Sequence, residues 1–206
     1  MKNIDDILIE VRKAYRLLYV FNERIFDLMK YIESAFEMEF GGGRSMFTAD
    51  TPNSWKGKFE NWTWDYFNLY FYEFYFKSNN AWLSILLQSD TGLWDIIEDI
   101  KNEDELNKKV NKVELYNSFE ESKTRLIFIT GNGEWNVAKI QMLYDKSINK
   151  SLINEGVIEK KNKGKIIYKI FEINNFIDEK TTIQSLKEYV NFLKNNNFDK
   201  ILYKKE

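Results

Sequence analysis

Residues 62–88 read WTWDYFNLYFYEFYFKSNNAWLSILLQ, and the reading of this stretch decides the fold. From Trp62 to Phe76 it is dense in aromatic side chains, which fit a pleated surface, so the run predicts a strand. A helical alternative places Asn61, Asp65, Asn68 and Tyr72 along one polar face. Lys77, Ser78, Asn79 and Asn80 read as a turn, and Ala81 to Gln88 as the returning strand of an antiparallel pair.

Upstream, Ile4, Ile7, Leu8, Val11, Tyr15, Leu18, Phe21, Ile25, Leu28, Met29, Ile32 and Phe36 recur at three- and four-residue intervals among charged residues. That spacing predicts an amphipathic helix over 1–40, capped by Asn3 and ended by Gly41, Gly42 and Gly43. At ~1.5 Å per residue it would exceed about 50 Å, longer than a small domain is wide. Such a helix must bend, break or project, and projection would suit partner binding or self-association. A loop is expected from Gly41 to Asn61, around the only proline, Pro52.

Downstream, Thr91 to Leu106 reads as a helix and Val113, Leu115 and Tyr116 as a short strand. Thr124 to Thr130 reads as a firmer strand. Gly131-Asn132-Gly133 signals a type I′ hairpin returning through Glu134 to Met142. Ser147 to Asn154 reads as a short helix ended by Gly156. A hairpin then runs from Val157 to Lys161, turns at Asn162-Lys163-Gly164 and returns from Lys165 to Ile173. Thr181 to Asn196 closes the chain as a helix with Ile183, Leu186, Tyr189, Val190 and Leu193 inward. The expectation is a single α+β domain over 1–206, with a long N-terminal helix, a mostly antiparallel sheet built from hairpins and a C-terminal helix.

The 206 residues are 44% hydrophobic and 30% charged, the composition of a chain that folds. There is no His and no Cys, which excludes disulfides, thiol nucleophiles, imidazole bases and Cys/His zinc sites. The net charge of −2 means that nucleic-acid binding would need a local basic patch. No apolar run spans a membrane, and the N-terminus has no signal-peptide pattern, so a cytoplasmic protein without a membrane partner is expected. Abundant Lys, Asn and Ile, residues with A/T-rich codons, point to a prokaryotic or phage gene.

Three local patterns resemble known families. Asp90-Thr91-Gly92 after an apolar strand is similar to the aspartic-protease motif, which would make Asp90 catalytic in a homodimer; the same residues also serve as a strand-end turn and helix cap. Glu121 and Lys123 before an apolar strand resemble the Glu-x-Lys core of restriction-type nucleases, which implies that Glu121 with a second carboxylate, Asp90 or Asp104, would hold Mg²⁺ while Lys123 orients the attacking water. The stretch from Ser147 to Ile173 resembles the recognition helix and wing of winged-helix DNA-binding domains, with Lys160, Lys161, Lys163 and Lys165 placed to contact phosphates.

The preferred reading is a non-catalytic interaction protein of accessory, immunity or inhibitor type, possessing no cofactor, with Mg²⁺ required only under the nuclease alternative. Its partner is another protein or a second copy, and Arg44, Trp55, Lys56, Trp62 and Trp64 are the expected contact residues, since Trp and Arg dominate interface energy.

Overall fold

A computed structural model describes residues 3–46, 71–92, 113–132, 155–160 and 164–205. Helix α1 spans Ile4–Phe36; strands follow at Glu39–Met46 (β1), Phe71–Lys77 (β2), Trp82–Gln88 (β3), Arg125–Gly131 (β4), Gly156–Lys160 (β5) and Gly164–Glu172 (β6); helix α2 spans Glu179–Asn195. The strands form one six-stranded sheet in the order β1-β2-β3-β4-β6-β5, and every neighbouring pair is antiparallel. The α+β class and antiparallel sheet are therefore as the sequence predicts.

Several local expectations are corrected. α1 ends four residues short of Phe40, because Glu37 adopts the left-handed conformation (φ 50°). The Met38 and Glu37 N–H groups then bond back to the Glu33 and Ser34 carbonyls, a Schellman stop made without glycine. Gly41–Gly43 are not a helix stop, and residues 41–46 are not loop; they belong to edge strand β1. Its register with β2 slips between Phe40 and Gly42, a bulge that bends the exposed edge. The glycines also make room for rings: a Cβ on Gly43 would lie 2.8 Å from the Tyr72 ring, and one on Gly41 2.8 Å from that of Tyr75.

Val113–Leu115 is a single 3₁₀ turn, not a strand. β4 ends at Gly131 with β3 and β6 on its two edges, and the return strand expected from Glu134 to Met142 lies outside the described residues. Asn132 continues the β6 ladder by donating its N–H to the Lys165 carbonyl at 3.0 Å. The expected helix at 147–154 and most of that at 91–106 lie outside the described residues, as do residues 62–70 of the aromatic run. The turn expected at 77–80 and the pairing of β5 with β6 stand as predicted, while residues 161–163 between those strands lie outside the described residues.

One sheet face presents Phe74, Phe76, Leu83, Ile85, Leu87, Leu126, Phe128, Ile167 and Phe171 to α1 and α2, whose contributions are Ile25, Met29, Ile32 and Phe36, and Leu186, Tyr189, Val190 and Leu193. α2 is followed by a second left-handed residue, Asn197. The chain then buries Phe198 and Ile201, and the Lys204 N–H donates to the Ala35 carbonyl at 2.9 Å. The last residues of the chain thus cap the end of its first helix. The opposite sheet face is also buried, at Phe71, Leu86, Ile127, Ile129 and Tyr168. Burial on both faces explains why β4, and β3 apart from Ser84, read as apolar runs without alternation.

One polar atom in this core has no hydrogen-bond partner among the described residues, the Tyr189 hydroxyl, whose ionisation burial pushes well above the ordinary tyrosine range. A buried unsatisfied hydroxyl costs about 1–3 kcal/mol. Tyr189→Phe keeps the ring contacts to Phe36 and Phe128, so it is expected to leave stability unchanged or raise it by about 1 kcal/mol, read as a higher unfolding midpoint in denaturant.

Candidate functional site

α1 divides into two halves that share one sequence pattern. Numbered as heptads, Ile4, Val11, Leu18, Ile25 and Ile32 fall at one apolar position, and Ile7, Ala14, Phe21, Leu28 and Ala35 at the other. From Phe21 onward this stripe packs on the sheet: Ile25 and Ile32 are 3% and 1% exposed. Every residue from Asn3 to Val20 is exposed, and Ile4, Tyr15 and Leu18, on or beside the same stripe, are 64%, 58% and 51% open to water. The helix projects, one of the three outcomes its length allowed. Leu17 and Tyr19, about 70% exposed, widen the apolar surface beyond the stripe.

A second cluster is polar and buried. Glu73 is the one charged residue of β2 before its last position, and its side chain points into the sheet face opposite the helices. Arg44, its register partner on β1, places Nε 3.2 Å from Oε2; Ser84, diagonally placed on β3, donates its hydroxyl to Oε1 at 2.6 Å. On β3 and β4, Arg125 Nε donates to Gln88 Oε1 at 2.9 Å. Beside the cluster, burial and the Glu73 charge raise the Tyr75 hydroxyl. The Arg44–Glu73–Ser84 cluster is thus a clamp across three strands, and Ser84, completely buried, is not a nucleophile reachable by substrate. Ser84→Ala would leave the buried carboxylate short of a donor; a loss of about 2 kcal/mol is expected in denaturant unfolding, against no measurable change for Ser34→Ala on the exposed face of α1.

Lys169, on β6 under α2, is buried between the rings of Phe171 and Phe192 and pairs with Glu155 and Glu188, the latter at 3.0 Å. Burial alone would lower its pKa, but the hydrogen bonds it donates to Glu155 and Glu188 outweigh that and the pKa is raised. Its contribution to stability is therefore complete below the ordinary lysine pKa and lost only as pH rises through the raised value.

The residues singled out for chemistry are distributed as follows. Asp90 Oδ1 accepts the Gly92 N–H at 2.7 Å, and Thr91 exchanges hydrogen bonds with Lys123, its N–H to the Lys123 carbonyl at 3.1 Å and its hydroxyl from the Lys123 N–H at 2.9 Å. The Asp90 and Lys123 loops are thus brought together, as a join between the ends of β3 and β4. The Lys123 ammonium pairs with Glu172, and Glu121 sits exposed in a turn. Among the described residues, no group of three or more acids is gathered to hold a metal ion.

Lys160 ends β5, and Lys165 turns away from the hairpin tip to donate to the Asn196 carbonyl past the end of α2. β6 lies inside a six-stranded sheet, between β4 and β5, in contrast to the arm of a small wing. Trp55, Lys56, Trp62, Trp64, Lys161 and Lys163 lie outside the described residues. None of the five contact residues expected from residue type lies in the projecting half of α1. Its signal was present in the helix length, which exceeds what the body can cover.

Among the described residues, no helix is long and apolar enough to cross a membrane. No curated protein and no solved structure matches the chain. A family model described as PM0109 matches residues 1–198, from the projecting end of α1 through the whole sheet to the stop of α2, and the chain belongs to the PM0109 family.

Proposed function

We propose that this protein is a non-catalytic binding module whose docking surface is the projecting half of α1, with an accessory, immunity or inhibitor-type role suited to its size and composition. The observation that carries this reading is the continuity of the apolar stripe: the pattern that packs Ile25 to Phe36 onto the sheet runs on through Ile4 to Leu18, where every side chain is exposed and no described residue covers it. Burying each such side chain is worth about 1.5–3 kcal/mol. A helix of ~17 residues has little stability of its own in water, so a partner would both order and cover it.

The test is recovery of the tagged protein from its host, beside a Val11→Glu/Leu18→Glu variant. A stoichiometric protein partner, whether a host protein or an untagged copy of this chain, that survives nuclease treatment is expected with the wild type and lost with the variant, while the unfolding midpoint stays within about 0.5 kcal/mol because both sites face water. A larger loss of stability would mean that these side chains are core and would overturn the reading. The carboxylate–lysine alternative is checked in parallel: no Mg²⁺-dependent cleavage of DNA or RNA is expected, and cleavage lost in Glu121→Ala would replace the binding reading with an enzymatic one.

A further inference from the structure

We infer that the occupant of the projecting half of α1 is a second copy of this chain, lying antiparallel to the first with residues 4–17 of the two copies overlapping; this rests on the docking reading above and names its partner. The charge pattern carries it. From Ile4 to Glu10 the helix holds three acids, Asp5, Asp6 and Glu10, and no base; from Val11 to Leu17 it holds three bases, Arg12, Lys13 and Arg16, and no acid. Each projecting half therefore carries both members of an electrostatic complement. Antiparallel pairing sets the acidic turns of one copy beside the basic turns of the other, whereas parallel pairing in register sets like beside like. A docking surface for an unrelated protein has no need of such internal complementarity.

Geometry agrees. The exposed stretch is ~25 Å long at ~1.5 Å per residue. Two such helices side by side bury on the order of 1,000 Å² over both partners, the low end of specific interfaces. Pairing about a two-fold axis is closed, because the same patch is used by both copies and no further surface is left to propagate. The antiparallel direction also sends the two globular bodies to opposite ends of the shared helix pair, where neither obstructs the other. An anionic lipid surface is a poorer occupant, since the acids of the first turns would face it.

The experiment is sedimentation velocity on the purified full chain over ~1–100 μM, the range where an interface of this size associates. A monomer–dimer equilibrium is expected, shifted to monomer at least tenfold by Val11→Glu/Leu18→Glu. Orientation is read by crosslinking, which is clean because the native chain has no cysteine. With a short bismaleimide, an Ile4→Cys protein mixed with a Leu18→Cys protein is expected to yield mixed dimers, and each alone far fewer. Efficient crosslinking within each single variant and none in the mixture would establish parallel pairing and overturn the inference. A wild type that stays monomeric would also overturn it. If that monomer still retains a host protein lost in the double-Glu variant, the docking reading survives with a different partner; if it retains none, both fall. A dimer indifferent to the double-Glu variant would place self-association elsewhere and overturn the inference.

Discussion

Phe128→Ala is expected to lower stability by about 3–5 kcal/mol, the largest effect of any single truncation considered for this protein. Phe128 lies mid-strand in β4 and is completely buried. Its ring meets Phe171 edge-on at 5.4 Å, stacks on Phe176 at 5.9 Å and meets Tyr189 edge-on at 5.0 Å. Those three partners come from β6, the 3₁₀ turn after it and α2, so one ring joins the sheet to the C-terminal helix. Truncation removes the transfer energy of the ring and leaves a cavity that three stiff aromatic walls cannot collapse into. Against a total stability of about 5–15 kcal/mol, the loss is a large share of the whole. In a chain of this length it should lower the midpoint by about 10 °C or more in thermal unfolding followed by circular dichroism. Phe119→Ala is the matched control, because that ring is 86% exposed. Equal midpoints for the two variants would mean that Phe128 does not hold the helix to the sheet.

Gly131→Ala is expected to cost about 3 kcal/mol, the upper part of the range for overpacking, although it adds only one methyl group. The added Cβ would stand 2.1 Å from the Lys165 carbonyl oxygen and 3.2 Å from the Ile166 Cα. Both atoms are backbone, so no side chain can swing aside. Relief requires β4 and β6 to part where Asn132 continues the ladder. The readout is amide hydrogen exchange together with the unfolding midpoint: protection should fall first at Ile166 and Ile167, next to the forced gap, and remain in the β2–β3 pair. A midpoint within about 0.5 kcal/mol of wild type would show that the two strands do not approach so closely.

Much of the architecture was legible because it is written in short-range chemistry. The turn at 77–80 and the pairing of β5 with β6 were found from polar and Gly-containing punctuation between apolar runs, and the two helices from three- and four-residue apolar spacing. Where reading failed, the deciding interaction was distant. Gly41–Gly43 carry the local chemistry of a helix stop, yet the helix had already ended at Glu37, and the glycines were needed where the rings of Tyr72 and Tyr75 cross the edge strand. Glu73 looked like one charge in an aromatic strand. Its role as a clamp depends on Arg44 and Ser84, 29 and 11 residues away along the chain.

The sequence by itself determined the α+β class, the amphipathic character of both helices, the antiparallel pairing of β2 with β3 and of β5 with β6, and the exclusion of every mechanism that needs histidine or cysteine. Each follows from composition or from a period of two to four residues, which neighbouring residues express without help from the rest of the chain. Only the tertiary structure decided the strand order, the burial of both sheet faces and the division of α1 into a packed half and a bare one. The apolar stripe of α1 is the same in both halves; what differs is that the described strands reach as far as Phe21 and cover none of the residues before it, and the extent of a sheet is set by contacts between residues far apart in sequence.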